Sequence, residues 1–282
     1  MSSNLRIDTE RLISRIEKLG QIGSIEGGGV CRLALSDEDR KGRDLVVDWM
    51  KKLNLDITID QIGNTIALRK GEEDVKPVMT GSHIDTVATG GIFDGNLGVL
   101  AGLEVIETLN DAGVVTRKPV GVGFFTNEEG SRFAPDMMGS GVHQGALDLN
   151  SMLKVKDMDG MSVGEELEKI GYAGKTPTNI FRADSFIELH IEQGPILDLE
   201  NYEIGAVEGV QGISWNEYKI FGTANHAGTT PMRLRHDAGY VASVISVEVR
   251  RLVKEMGLSL IHISEPTRPE RIGCGGLGVE KK

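Results

Sequence analysis

The chain has little cysteine, a shortage of positive charge and no long apolar run. Only Cys31 and Cys274 are cysteines among its 282 residues, too few for a disulfide framework and in keeping with a reducing compartment. Cys31 reads as structural. Lysine and arginine total 31 against 42 aspartate and glutamate, for a net charge of −11 and an isoelectric point near 5.1. That balance argues against nucleic acid or an anionic membrane as a partner. No apolar stretch approaches the length that crosses a bilayer, and Met1-Ser2-Ser3-Asn4-Leu5-Arg6 leads into a charged amphipathic segment rather than a secretory leader. These absences predict a cytoplasmic protein. With 39% hydrophobic residues, the length suits one large domain plus part of another.

What the chain does have is acids and histidines placed where apolar runs end. Val120 to Phe125 reads as a buried strand, and the adjacent carboxylates Glu128 and Glu129 follow it. Gly81-Ser82-His83-Ile84-Asp85 follows the short run Val78-Met79-Thr80, then comes Gly90-Gly91-Ile92-Phe93-Asp94-Gly95, and Glu188-Leu189-His190 follows an apolar start at Phe186. A lone histidine near a strand end reads as a hydrogen-bonded structural residue, and a lone acid pair as a solvated loop. Together, His83, Asp85, Asp94, Glu128, Glu129 and His190 fall where open α/β sheets place their sites. Imidazole with carboxylate suits zinc or manganese, and one carboxylate bridges two ions about 3.5 to 4 Å apart.

The periodicity supplies the scaffold. Leu12, Ile13, Ile16 and Leu19 share a helical face behind a candidate cap at Asp8. A second helix follows Ser36, with Asp37, Glu38 and Asp39 at its positive end and Leu45, Val46, Trp49 and Met50 facing the core. Leu55, Ile57 and Ile59 alternate with polar residues, and Ile66 and Leu68 resume after Gly63-Asn64, which predicts a β pair. A helix over 97–109 follows the Asp94 loop. Strands alternating with helices imply an α/β fold with a mostly parallel sheet flanked by helices. Residues 147–183, with Asp157, Asp159, Glu165, Glu166 and Glu168, read as solvated helix and loop. Beyond Gly209 the texture changes: 213–221 alternates as a strand, 226–231 is a loop and 237–256 an amphipathic helix. This predicts one domain over 1–209 and the first part of another over 210–257.

Four motifs in this order resemble the di-metal aminoacylase/carboxypeptidase superfamily, and within it the N-carbamoyl-L-amino-acid hydrolase and allantoate amidohydrolase branch. They are Gly81-Ser82-His83-Ile84-Asp85-Thr86-Val87, Asn127-Glu128-Glu129-Gly130-Ser131-Arg132-Phe133, Glu188-Leu189-His190-Ile191-Glu192-Gln193-Gly194-Pro195 and Asn225-His226-Ala227-Gly228-Thr229-Thr230-Pro231-Met232. The resemblance implies two divalent ions (zinc, or manganese or cobalt), with His83 and His190 on one, Glu129 on the other and Asp94 bridging. It further implies Asp85 supporting His83, Glu128 as general base, and a small α+β lid whose His226 reaches the active site of a homodimer partner. Asn225 and Gln193 are candidates for substrate contact, Gln193 being equally suited to supporting a ligand. The implied reaction is hydrolysis of the carbamoyl C–N bond of N-carbamoyl-L-amino acids. Allantoate and N-carbamoyl-β-alanine are the alternative substrates, and a non-catalytic metal-binding fragment is the alternative from another class.

The end of the chain departs from this pattern. Leu258-Ser259-Leu260-Ile261-His262-Ile263-Ser264-Glu265-Pro266-Thr267-Arg268 resembles a translated frame of a sequencing-library adapter, and residues 269–282 show no helical or strand period. We therefore expect residues 258–282 to be a non-native tail. Under that expectation a C-terminal histidine ligand and substrate-binding residues of the family are missing, and the chain as given is inactive. A flexible terminus, or a metal tail through His262 and Cys274, are the other readings.

Overall fold

The computed structural model describes residues 4–179, 182–210, 212, 216 and 218–257, with the backbone of 278–280. The chain divides into two units, 1–203 and 204–282, slightly ahead of the boundary expected near Gly209.

In the first unit, α1 (Thr9–Gly20) begins at the predicted cap, where the Asp8 carboxylate accepts from the Arg11 N–H. It buries Leu12, Ile16 and Leu19, while Ile13, expected on that face, is 39% exposed. In α2 (Asp37–Lys52), the Ser36 hydroxyl accepts from the Asp39 N–H, and Val46, Val47, Trp49 and Met50 are buried with Leu45 only partly so. The same face also buries Asp39 and Arg43, which the apolar pattern does not reveal. They pair one helical turn apart at 2.8 Å, and Arg43 donates further to the Gly63 carbonyl. Then come β1 (Asp56–Ile59), β2 (Thr65–Arg69), β3 (Val78–His83), α3 (Asn96–Asp111), β4 (Val120–Phe125), α4 (Met138–Gln144), α5 (Leu149–Met152), α6 (Val163–Ile170), β5 (Ser185–Ile187) and α7 (Ile196–Glu200).

The sheet runs β1-β2-β4-β3-β5, and it corrects the expectation of a mostly parallel sheet. β3 is parallel to β4 and β5, but β1 with β2 and β2 with β4 are antiparallel. The cause is connectivity: a short turn between β1 and β2 forces a hairpin, whereas the strands joined through helices can run the same way. The core forms where Ile16 and Leu19 of α1, Met50 of α2 and Leu100 and Leu103 of α3 meet Val122 and Phe124 of β4.

The polar segment 147–183 is not merely solvated. Val163, Leu167 and Ile170 of α6 are buried beside Tyr172, and Glu166 is buried with them. The acidic run hides an apolar stripe at helical spacing.

The second unit contains β6 (Lys219–Phe221), a 3-10 turn at Met232–Leu234, α8 (Ala238–Glu255) and β7 (Gly278–Glu280), which pairs in parallel with β6. β7 lies in a region where the sequence predicted no element. Of the strand expected over 213–221, only the end is observed; Ile213, Ser214, Trp215 and Glu217 lie outside the described residues, as do residues 258–277 with His262 and Cys274. Asp237 caps α8 by accepting from the Tyr240 N–H, and the helix buries only Ala238 and Ala242. Val241 and Val244 stay 44% and 47% exposed. No helix among the described residues is long and apolar enough to cross a membrane.

Candidate metal centre

The end of β3 delivers His83 into a buried position. Its Nδ1 lies 2.9 Å from the Asp85 carbonyl; a carbonyl only accepts, so Nδ1 carries the proton and Nε2 keeps its lone pair. His190, just beyond β5, repeats the arrangement, with Nδ1 2.8 Å from the Ile191 carbonyl. Both free nitrogens look towards Asp94: its Oδ1 is 3.3 Å from His190 Nε2 and 3.9 Å from His83 Nε2. Donor atoms of His83, Asp94 and His190 all lie within 4.8 Å of one another. Two imidazoles whose Nδ1 atoms face carbonyls and whose Nε2 atoms face a shared carboxylate form a donor set that fits a divalent metal ion. Asp94 reaches this group from the turn before α3, not from a strand end.

A surrounding layer holds these groups in place. Asp85 is buried, and its two carboxylate oxygens accept the backbone N–H groups of Glu128 and Glu129 at 3.3 Å each, tying the end of β3 to the loop after β4. That loop turns sharply at Asn127, whose φ is +53° and whose side chain donates to the Phe133 and Pro135 carbonyls. The turn brings Glu128 Oε2 within 3.3 Å of His83 Nε2. Glu129, expected as a ligand, stands outside the three-donor group. The Gln193 amide donates to Asp94 Oδ2. Ser82 Oγ donates to Glu188 at 2.5 Å. Beside Glu128 a cavity of about 230 Å³ opens between Phe125, Met137, Ser140 and Phe186.

The electrostatics show acids crowded together with little countercharge. Burial raises the Asp85 carboxyl above its usual range, with His83 opposing. Burial also raises Glu128, with His83 opposing and Asp85 and Asp94 adding to the rise. Glu129 is pushed up to about 7 by burial, against His83 and with Asp94, Asp85 and Glu128 reinforcing. For His83, burial disfavours the cation, but Asp85, Glu128 and Glu129 outweigh it and the pKa rises. Neighbouring negative charge and loss of solvent both favour protonated acids, and a bound cation relieves both.

His226 and Asn225 belong to the second unit. His226 Nδ1 accepts from the N–H groups of Gly228 at 3.1 Å and Thr229 at 3.2 Å, so the proton of the neutral ring sits on Nε2. Asn225 Nδ2 donates to the Thr223 carbonyl at 3.1 Å and lines a cavity of about 210 Å³ with Arg235, His236 and Asp237. In the first unit the sequence reading missed Ser82, Gly95 and Asn96. Gly95 and Asn96 directly follow Asp94, and that adjacency was the available signal.

Residues 79–265 match peptidase family M20/M25/M40. The chain belongs to that family. It is 41% identical over 253 residues to the N-carbamoyl-L-amino-acid amidohydrolase of Rhizobium meliloti, covering 89% of this chain and 61% of the relative. The corresponding enzyme of Geobacillus stearothermophilus is 40% identical over 263 residues, covering 89% and 63%. Among solved structures, an amidase of the hydantoinase/carbamoylase family from Burkholderia vietnamiensis superposes with a TM-score of 0.78 at 40% identity, covering 95% of this chain and 67% of that one. The chain thus spans 61% and 63% of the length of these two curated relatives.

Proposed function

We propose that this chain carries the metal-binding half of an amidohydrolase that cleaves the carbamoyl C–N bond of N-carbamoyl-L-amino acids, releasing amino acid, carbon dioxide and ammonia. The observation that carries the reading is Glu128 Oε2, 3.3 Å from Nε2 of His83 at the edge of the donor group: a carboxylate placed to serve as a base beside the set that would hold the ion. The 41% and 40% identity to amidohydrolases of that name supports the substrate class.

His83, Asp94 and His190 would hold one divalent ion, zinc or manganese by donor type. Asp94 and Glu129 would together hold a second. Such ions, when bound, lower the pKa of water and polarise a carbonyl. Glu128 takes the proton of the attacking water as it adds to the ureido carbon, then returns that proton to the departing nitrogen. Burial shifts its carboxyl upward, the direction that favours its return of the proton. Asp85, through the N–H groups of Glu128 and Glu129, keeps the base loop in register with His83. His226, with its proton on Nε2, would donate to the developing oxyanion, serving the site of a partner subunit in a homodimer.

The test uses the chain and a chimera joining residues 1–257 to the remainder of the Rhizobium meliloti relative, both loaded with zinc or manganese. Ammonia release from N-carbamoyl-L-amino acids above that from allantoate and N-carbamoyl-β-alanine is expected of the chimera. A metal-loaded chimera that hydrolyses none of these, or allantoate best, would overturn the substrate assignment.

A further inference from the structure

Arg32 lies fully buried, and among the described residues its guanidinium donates to three backbone carbonyls and one side-chain amide rather than to a carboxylate. Burial pulls its pKa down to about 10 against the field of Asp39 and Asp85. A cation placed so deep without an ion pair needs another reason to be there, and its hydrogen bonds supply one. Nε donates to the Ile84 carbonyl at 2.7 Å, between His83 and Asp85. Nη2 donates to Asn96 Oδ1 at 3.0 Å, and Asn96 Nδ2 donates to the Ile92 carbonyl at 3.0 Å. The Asn96 N–H meets the Asp94 carbonyl at 2.6 Å, so Asn96 closes the turn that presents Asp94 from both sides. Nη1 anchors the fork to the end of α1 through the Leu19 and Ile22 carbonyls at 2.9 and 2.8 Å. The Arg32 backbone adds two further ties, its N–H to Thr86 Oγ1 at 2.8 Å and its carbonyl from the Thr86 N–H at 2.9 Å.

We infer that Arg32 is a positioning residue that fixes the distance between His83 and Asp94 by clamping the His83-to-Thr86 segment and the Asp94 turn to the end of α1. The inference rests on the metal-site reading above and adds a residue that touches neither ligand. The planar fork sends donors in three directions at fixed angles, which lysine's single ammonium does not reproduce. Outer partners that orient ligands typically contribute 10- to 100-fold to metal affinity.

Zinc affinity of the purified 282-residue chain, measured by chelator competition, together with the metal-free melting temperature, tests this. Arg32→Lys and Asn96→Ala are each expected to weaken zinc binding about 10- to 100-fold, and the double variant to bind little worse than the weaker single one, since both break the same link. Val47→Ala, a buried position on α2, is the control: it should lower the melting temperature and leave zinc affinity within about twofold. If Arg32→Lys and Asn96→Ala melt lower as Val47→Ala does yet hold zinc like the parent, Arg32 is only a core residue and the inference is overturned. Should Arg32→Lys fail to fold, Asn96→Ala decides alone by the same criterion. Asp94→Asn is run alongside: zinc held at parental affinity by that variant overturns the metal-site reading itself.

Discussion

A Cβ atom at Gly95 would stand 2.5 Å from Cδ2, Cε1 and Nε2 of His83, and the φ of Gly95 is +63°. The turn that presents Asp94 therefore presses directly on the face of the first histidine. Gly95→Ala is expected to displace the ring and to strain the backbone, since a side chain disfavours that left-handed region. Zinc affinity should fall about tenfold or more, alongside the melting temperature; unchanged affinity by chelator competition would show that His83 does not hold the ion.

Glu128 and Glu129 are neighbours with different proposed work. In the chimera, Glu128→Gln should keep its metal and lose about 10²- to 10⁴-fold in turnover, while Glu129→Ala should lose metal. Metal analysis beside steady-state rates separates them, and equal metal loss in both variants would reverse the assignment.

The proposal that His226 serves a partner's site predicts complementation. Mixed Glu128→Gln and His226→Ala chimeras should recover activity, because one site of each heterodimer regains both residues. No gain over either parent, once subunit exchange is demonstrated, counts against a shared site.

Arg132 ties the loop after β4 to α6. It donates to Asp157 at 3.0 Å, to buried Glu166 at 2.8 Å and to the Ala34 carbonyl at 3.1 Å. Arg132→Ala leaves Glu166 with Lys169 alone at 3.1 Å. Losing one charge-assisted hydrogen bond to a buried carboxylate that keeps its other cation costs about 1.5 to 3 kcal/mol, readable as a shift in the urea midpoint; a loss below about 1 kcal/mol would place this pair with ordinary surface bridges.

Asp60 predicts a pH dependence. Its carboxylate accepts from the Ile62 and Asn64 N–H groups and from Asn64 Nδ2, yet burial pushes its pKa up to about 6. The folded chain thus keeps a proton that the unfolded chain releases near pH 4, so this group's contribution is fully present below about pH 4 and is lost as pH rises to about 6. Asp60→Asn removes the titration. The parent's stability relative to that variant should decline across this window, by urea midpoints at about pH 4 and about pH 7; a constant difference would show that Asp60 titrates normally.

Much of this was legible in the sequence for physical reasons. Capping acids and hydroxyls such as Asp8 and Ser36 act on their own helix, and His83, Asp94 and His190 sit in short local motifs. What was hidden depends on distant partners. Arg32, Arg43 and Glu166 look like surface charges because their partners Asn96, Gly63 and Arg132 lie far along the chain, and Asp39 because the arginine it pairs with one turn on is itself buried. The antiparallel half of the sheet was hidden likewise, because a strand's period does not name its neighbour.

His83 ends an interior strand, whereas His190 follows β5, which pairs only with β3 among the described strands and leaves Ile187 66% exposed. The backbones of the two histidines are therefore expected to open at different rates. Amide exchange should be slow through β3 and β4 and fast at β5. An ion held between them would leave at a rate set by fraying of the sheet's rim, so the lifetime of the bound metal, rather than its affinity alone, is governed by whatever covers that edge.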